Sequence, residues 1–273
     1  MLTLRRERCQ LETGANLSYV LNTIIEFRDV EYQIRTNNAA RPILSGISLQ
    51  IHSGETIALL GRSGSGKTTL LKLINGLRQS SGGAILVEGR PVSEWDVIEL
   101  RRRIGYVIQE IGLFPHLTVG ENVCLVPRLE GWPADRSAAR CNEVMRSVGL
   151  APAEFAARYP RELSGGQRQR VGVARALAAD PQILLMDEPF GAVDPVTRAE
   201  LQREFLALAR NMAKTVVLVT HDVREALLLA TRIVLLNAGR IVAEATPGEF
   251  VKLEHSVARE FLAAAEFTTG AAQ

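Results

Sequence analysis

The sequence predicts an α/β fold: a parallel sheet flanked by helices, with an antiparallel edge and a helical subdomain inserted into it. Three observations predict it. Short apolar runs of strand length, at 183–186 and 216–219, alternate with longer stretches of helical character, the pattern of βαβ units. One such run, 56–60, is apolar almost throughout and passes straight into a glycine-rich turn. Between two strands, from 117 to 159, helical signals dominate and only Pro and Gly interrupt them.

Taken in order, residues 1–22 are polar, lack periodicity and read as an extension ahead of the first strand. Residues 24–34 alternate apolar and polar, as a half-buried strand does, and 30–34 contain no Gly or Pro that would favour a bulge. A polar turn is expected at 36–41 and a second alternating strand at 47–51, giving two antiparallel edge strands. The buried strand 56–60 follows, with a helix starting near Lys67. A strand at 84–87, a short helix at 97–103 with a basic end, and a buried strand at 104–108 lead to the helical subdomain, about 115–165. It is broken at Pro127, at Gly131-Trp132-Pro133 and at Pro152. Strands at 183–186, 216–220 and 233–236 alternate with helices at 167–179, 195–211 and 223–230. A turn at Gly239-Arg240 leads into 241–244, and two helices close the chain. The expected organisation is an extension at 1–22, a main domain at 23–250 and a helical tail at 251–273.

Composition narrows the function classes. Over 273 residues, 32 basic and 30 acidic side chains leave a net charge of +2, which gives no reason to expect nucleic acid or an anionic bilayer as the main partner. With 47% hydrophobic residues the chain can fill a core, and no apolar run approaches the ~20 residues of a membrane span. Arg5, Arg6 and Arg8 are not followed by the apolar stretch of a secretory signal. Cys9, Cys124 and Cys141 are scattered and odd in number, so free thiols in a reducing compartment are expected, without zinc or disulfides.

Chemistry concentrates in three places. Gly61-Arg62-Ser63-Gly64-Ser65-Gly66-Lys67-Thr68 matches G-x-x-x-x-G-K-[ST] between a buried strand and a helix. Such a loop turns backbone N–H groups inward around phosphate oxygens, and the helix N-terminus adds partial positive charge. Lys67 is placed for the β- and γ-phosphates and the Thr68 hydroxyl for Mg²⁺; Thr69 completes the nucleotide-binding set. The apolar run at 183–186 ends in Asp187-Glu188, where Asp187 can anchor the metal and Glu188 can deprotonate the attacking water. Ser164-Gly165-Gly166-Gln167 opens a helix as a second anion-binding end, which a single nucleotide does not require from the same domain.

Together these motifs resemble the ATP-binding cassette (ABC) ATPases, whose signature is LSGGQ, over 24–250. The resemblance implies a P-loop NTPase (RecA-like) core, hydrolysis of ATP with Mg²⁺, and a head-to-tail dimer with a second copy. Ser164, Gly165, Gly166, Gln167 and the D-loop residue Asp194 would then act in trans. It further implies that Gln109 touches metal or water and that His221 is the switch histidine at the γ-phosphate. The segment after Gln109, with Ile111, Leu113, Phe114 and Pro115, would dock on integral-membrane permease subunits. Residues 104–116 and 126–132 resemble the cassettes of glycine betaine, choline and related osmoprotectant importers, served by a periplasmic or lipid-anchored binding protein. Such a subunit sits on the cytoplasmic face of the membrane. Many members carry a C-terminal regulatory pair of domains, which the sequence to Gln273 is too short to hold. A lipid-handling or other-substrate transporter and a soluble non-transport ABC ATPase remain the alternatives. The chain departs from the family where an aromatic side chain usually stacks on adenine: Ile34 falls there, with Tyr32 two residues earlier as the alternative.

Overall fold

The structure is a computed structural model that describes residues 22–36, 39–109, 112–191, 193–212 and 214–270. All but the last residue of the 1–22 extension lies outside them, as does Ile111. The chain runs β1 (Thr23–Thr36), β2 (Ala39–His52), β3 (Thr56–Leu60), α1 (Lys67–Ile74), β4 (Gly82–Val87) and β5 (Arg90–Pro91). Then come α2 (Val97–Arg103), β6 (Ile104–Val107) and four helices: α3 (Val119–Val123), α4 (Leu125–Leu129), α5 (Ala134–Ser147) and α6 (Pro152–Phe155). The rest alternates α7 (Gly165–Leu177), β7 (Ile183–Asp187), α8 (Pro195–Met212), β8 (Thr215–Thr220), α9 (Val223–Leu229) and β9 (Arg232–Asn237). It ends with β10 (Arg240–Ala245), α10 (Pro247–Phe250) and α11 (Ser256–Gly270).

Two sheets form. Strands β10-β9-β3-β8-β7-β6 make a six-stranded sheet, parallel except for β10. Its central strands β3, β7 and β8 are buried along their whole length, which accounts for their unbroken apolar sequence. The two predicted edge strands belong instead to a separate antiparallel sheet, in the order β2-β1-β4-β5. The two sheets enclose one core with α1, including Leu70, Leu71, Ile57 and Ile51. A second core joins the outer face of β7 and β8 to α7, α8 and the helical subdomain. A third lies under α9, α10 and α11, around Phe250 and Ala258.

Three expectations need correction. Strand β2 begins at Ala39, not at 47, so most of the expected polar turn is paired strand, from Thr36↔Ala39 through Gln33↔Pro42. Pro42 is tolerated because β2 is an edge strand, where a missing N–H need cost no ladder bond. The register of β1 also breaks on either side of Tyr32, where an unbroken alternation was predicted. As a result Tyr32 turns into the core at 8% exposure while Ile34 is 40% exposed. Cys124 and Cys141, predicted as free thiols, are buried with Cα atoms 5.7 Å apart and form a disulfide. The compact return of α4 and α5 brings the two together, which linear spacing did not reveal.

Candidate active site

The glycine-rich turn after β3 takes its shape from backbone that only glycine accommodates readily. Gly66 caps α1 at φ 104°, and a Cβ there would stand 2.5 Å from Leu44 Cδ2. The Lys67 ammonium is buried and donates to the carbonyls of Gly61 (2.7 Å) and Arg62 (2.9 Å), holding the loop curled around its own cation. Burial pushes its pKa down, against the opposing charges of Glu188 and Asp187. Ser65 Oγ is buried with no hydrogen-bond partner among the described residues, and it sits against Gly61, where a Cβ would lie 2.6 Å from it. A cavity of about 770 Å³ opens over the loop. Arg62, Ser63, Gly64, Gly66, Lys67, Thr68 and Thr69 all line it, whereas Gly61 and Ser65 do not.

On the neighbouring strand end, Thr68 Oγ1 donates to Asp187 Oδ1 at 2.8 Å. Burial raises the Asp187 pKa, and the Thr68 hydrogen bond opposes this. A hydroxyl and one carboxylate form a donor set that fits Mg²⁺, which takes one or two carboxylates and shares the rest of its shell with substrate phosphates and water. The described residues hold no cluster of three or more His, Cys, Asp or Glu that could bind a metal alone.

Glu188 is the meeting point. Its φ of 45° is unusual for a non-glycine residue, and its N–H is fixed on Val219 O at 3.0 Å. Its Oε2 lies 3.2 Å from Gln109 Nε2 and 3.3 Å from His221 Nδ1. The structure therefore gathers Gln109, Glu188 and His221, from three separate strand ends, onto the wall of the same cavity.

Ser164, Gly165, Gly166, Gln167 and Asp194 do not line this cavity. Ser164 caps α7 in a reciprocal box: its Oγ accepts from Gln167 N (3.2 Å), and Gln167 Oε1 accepts from Ser164 N (2.9 Å). Asp194 accepts from Thr197 N at 3.0 Å, and its hydrogen bonds from Thr197 hold its carboxyl below the usual range. In the expected docking segment, Leu113 turns inward onto the core of the helical subdomain while Phe114 stays 42% exposed. Buried Asn122 pins that segment, accepting from Phe114 N and donating to the carbonyls of Phe114, Leu117 and Thr118.

Sequence reasoning missed four residues. Tyr106 faces Asp187, and burial first, then the Asp187 charge and hydrogen bond, push its pKa up. Its signal was available, since parallel pairing of β6 on β7 sets Tyr106 beside Leu185, near the strand end. Arg41 lines the cavity from the end of the stretch read as a turn, Ile43 from the unassigned residues just after it, and Phe261 from α11, with no local sign. Ile34 lines the cavity too; Tyr32 does not, its hydroxyl accepting from Arg78 at 2.6 Å. The β9–β10 turn rests on the back of the loop: Gly239 N–H donates to Ser65 O, and Gly239 O accepts from Ser45 N.

A phosphate loop, a carboxylate pair at a strand end and a serine-capped signature helix define a nucleotide-binding cassette. The chain belongs to the ABC transporter family, whose sequence pattern matches residues 44–191. It is 50% identical over 223 residues to the glycine betaine/carnitine/choline transport ATP-binding protein OpuCA of Bacillus subtilis, covering 82% of this chain and 58% of that one. It is 52% identical over 208 residues to the osmoprotectant import ATP-binding protein OsmV of Salmonella typhimurium, covering 76% and 54%. The chain thus spans a little over half the length of these curated relatives. A dimeric ATP-binding cassette in a post-hydrolysis state, bound to ADP and Pi, superposes with a TM-score of 0.74 at 33% identity, covering 82% of this chain and 98% of that one. The P-loop NTPase core expected from the sequence is the fold observed.

Proposed function

We propose that this chain is the ATP-hydrolysing subunit of an ABC importer of quaternary-amine osmoprotectants such as glycine betaine and choline. One observation carries the hydrolytic part: Gln109 and His221 both meet Glu188 on a single carboxylate oxygen, beside Lys67 and the Thr68–Asp187 pair. The cargo class is supported by the likeness to the two import proteins named above.

In this reading the loop amides and Lys67 bind the phosphates, and Thr68, Asp187 and Gln109 hold Mg²⁺. Mg²⁺ held there would supply neutralisation of the phosphate charge. Glu188 accepts the proton of the attacking water as its oxygen bonds to the γ-phosphorus and the bond to ADP breaks, leaving ADP and phosphate. Gln109 and His221 fix the carboxylate that receives the proton. Ile34 contacts the nucleotide from the cavity wall. A second copy completes each site with Ser164, Gly165, Gly166, Gln167 and Asp194. The catalytic unit is 23–250 with its helical subdomain at about 115–165, followed by the 251–273 tail. It docks through the segment after Gln109 on permease subunits at the cytoplasmic face of the membrane, and a binding protein delivers the cargo.

The test has two parts. Purified chain should release phosphate from ATP, and Lys67→Ala should lose nucleotide affinity with it. Cells carrying the chain and its permease should take up radiolabelled glycine betaine or choline, and lose that uptake with Glu188→Gln. Phosphate release without uptake of either solute would overturn the cargo assignment; no phosphate release would overturn the whole reading.

A further inference from the structure

We infer that Phe261, on the C-terminal helix α11, supplies the aromatic face against which the nucleotide base stacks. The inference rests on the cavity being a nucleotide site. Apart from the phosphate loop and the Gln109–Glu188–His221 group, its lining consists of Ile34, Arg41, Ile43 and Phe261. Among these described lining residues Phe261 is the one with a phenyl ring, and the other ring, His221, is engaged with Glu188. Ile34 offers apolar contact without a π-face. Tyr32 is withdrawn: it is buried in the core, bonded to Arg78 through its hydroxyl, and covered by the Arg78 guanidinium 5.7 Å from its ring centre.

Helix α11 is fixed where the inference needs it. The residue before Phe261, Glu260, pairs with Arg62 of the phosphate loop at 2.7 Å, so the helix is tied to the loop itself. Ala258, one turn earlier, is fully buried, and Arg224 of α9 donates to the carbonyl of Ala265. Phe261 packs against the core beneath α9 and α11 and also borders the cavity. A ring backed on one side by a core is a pre-ordered stacking platform, with little side-chain entropy left to lose. Stacking reads the π-face rather than the base edge, so ATP and GTP should bind alike.

The test compares two probes, ATP and inorganic tripolyphosphate, by calorimetric titration with Mg²⁺. The parent chain should bind both. Phe261→Ala should weaken ATP ~5- to 150-fold, the equivalent of ~1–3 kcal/mol of base stacking, and leave tripolyphosphate affinity unchanged. Phe261→Tyr should restore ATP affinity, whereas Phe261→Leu, which keeps the bulk, should not. If the alanine variant does not fold, the Tyr and Leu pair decides on the same readout. ATP affinity unchanged in the alanine or leucine variant would overturn the inference, as would an equal loss for both probes. A parent chain that binds neither probe would instead overturn the nucleotide reading on which the inference rests.

Discussion

Glu188→Gln should separate nucleotide binding from bond cleavage. The backbone at this position is held independently of the side chain, by the Glu188 N–H on Val219 O. The amide can still accept a hydrogen bond from Gln109 or His221, but it cannot take a proton. Positioned general bases contribute ~10²–10⁴ in rate, so turnover should fall by that factor, a barrier increase of ~3–5 kcal/mol. In the proposed site the phosphate contacts come from Lys67 and the loop, so ATP affinity should change less than about threefold, on the view that only transition-state interactions are lost. The side chain is partly exposed and its partners Gln109 and His221 are exposed polar groups, so the melting temperature should move by only ~1–2 °C. Single-turnover release of radiolabelled phosphate measures the rate, titration calorimetry the affinity, and gel filtration with ATP the dimer that should accumulate. Hydrolysis at the parental rate would refute the base assignment. So would an affinity loss as large as the rate loss, because Glu188 would then be acting on binding.

Cysteines introduced at Ser63 and Ser164 should crosslink between chains when ATP is present; crosslinking confined within single chains would contradict a head-to-tail dimer. Phe114→Asp should abolish solute uptake while basal phosphate release survives. Leu113→Asp should instead cost ~1–3 kcal/mol of stability, because its side chain packs on the core of the helical subdomain; equal melting temperatures for the two variants would refute that division. Glu225 is buried, with burial raising its pKa against hydrogen bonds from Thr220 (2.5 Å) and Gln202 (3.0 Å). The folded chain therefore binds a proton more tightly than the unfolded one, and this contribution is present at low pH and lost as pH rises through the raised pKa. In chemical denaturation between pH 4 and about 8, Glu225→Gln should flatten that decline; parallel stability profiles for variant and parent would refute it.

The motif-bearing elements were legible because each is short and local. The run from 56 to 60, the turn to Gly66 and the helix from Lys67 form one strand–turn–helix unit whose conformation depends on few distant residues. Asp187 and Glu188 could be placed at a strand end for the same reason. What escaped was set by tertiary contact. The start of β2, at 39–41, reads as polar turn because Ala39-Ala40-Arg41-Pro42 shows no apolar–polar alternation, and pairing with β1 places it. The breaks on either side of Tyr32 occur without Gly or Pro; a further irregularity, between Phe27 and Val30, holds Asp29 at φ 48°, a conformation Asp adopts more readily than most residues. Phe261 is invisible in the same way. Nothing within α11 indicates that its ring borders a loop two hundred residues earlier.

The turn joining β9 to β10 links parts of the cavity that otherwise belong to different sheets. Through its two backbone groups Gly239 grips Ser65, behind the phosphate loop, and Ser45, next to the β2 residues that line the opposite wall. No side chain fits at that contact, since a Cβ would lie 2.3 Å from the Ile43 carbonyl, and φ is 77°. The turn works as a rivet: the phosphate-gripping wall and the β2 wall cannot slide past each other without shearing one peptide. A pull on the glycine-rich loop is delivered through Gly239 to the antiparallel sheet at Ser45. Gly239 is therefore where a single added methyl group would wedge the two walls apart while leaving each of them chemically intact.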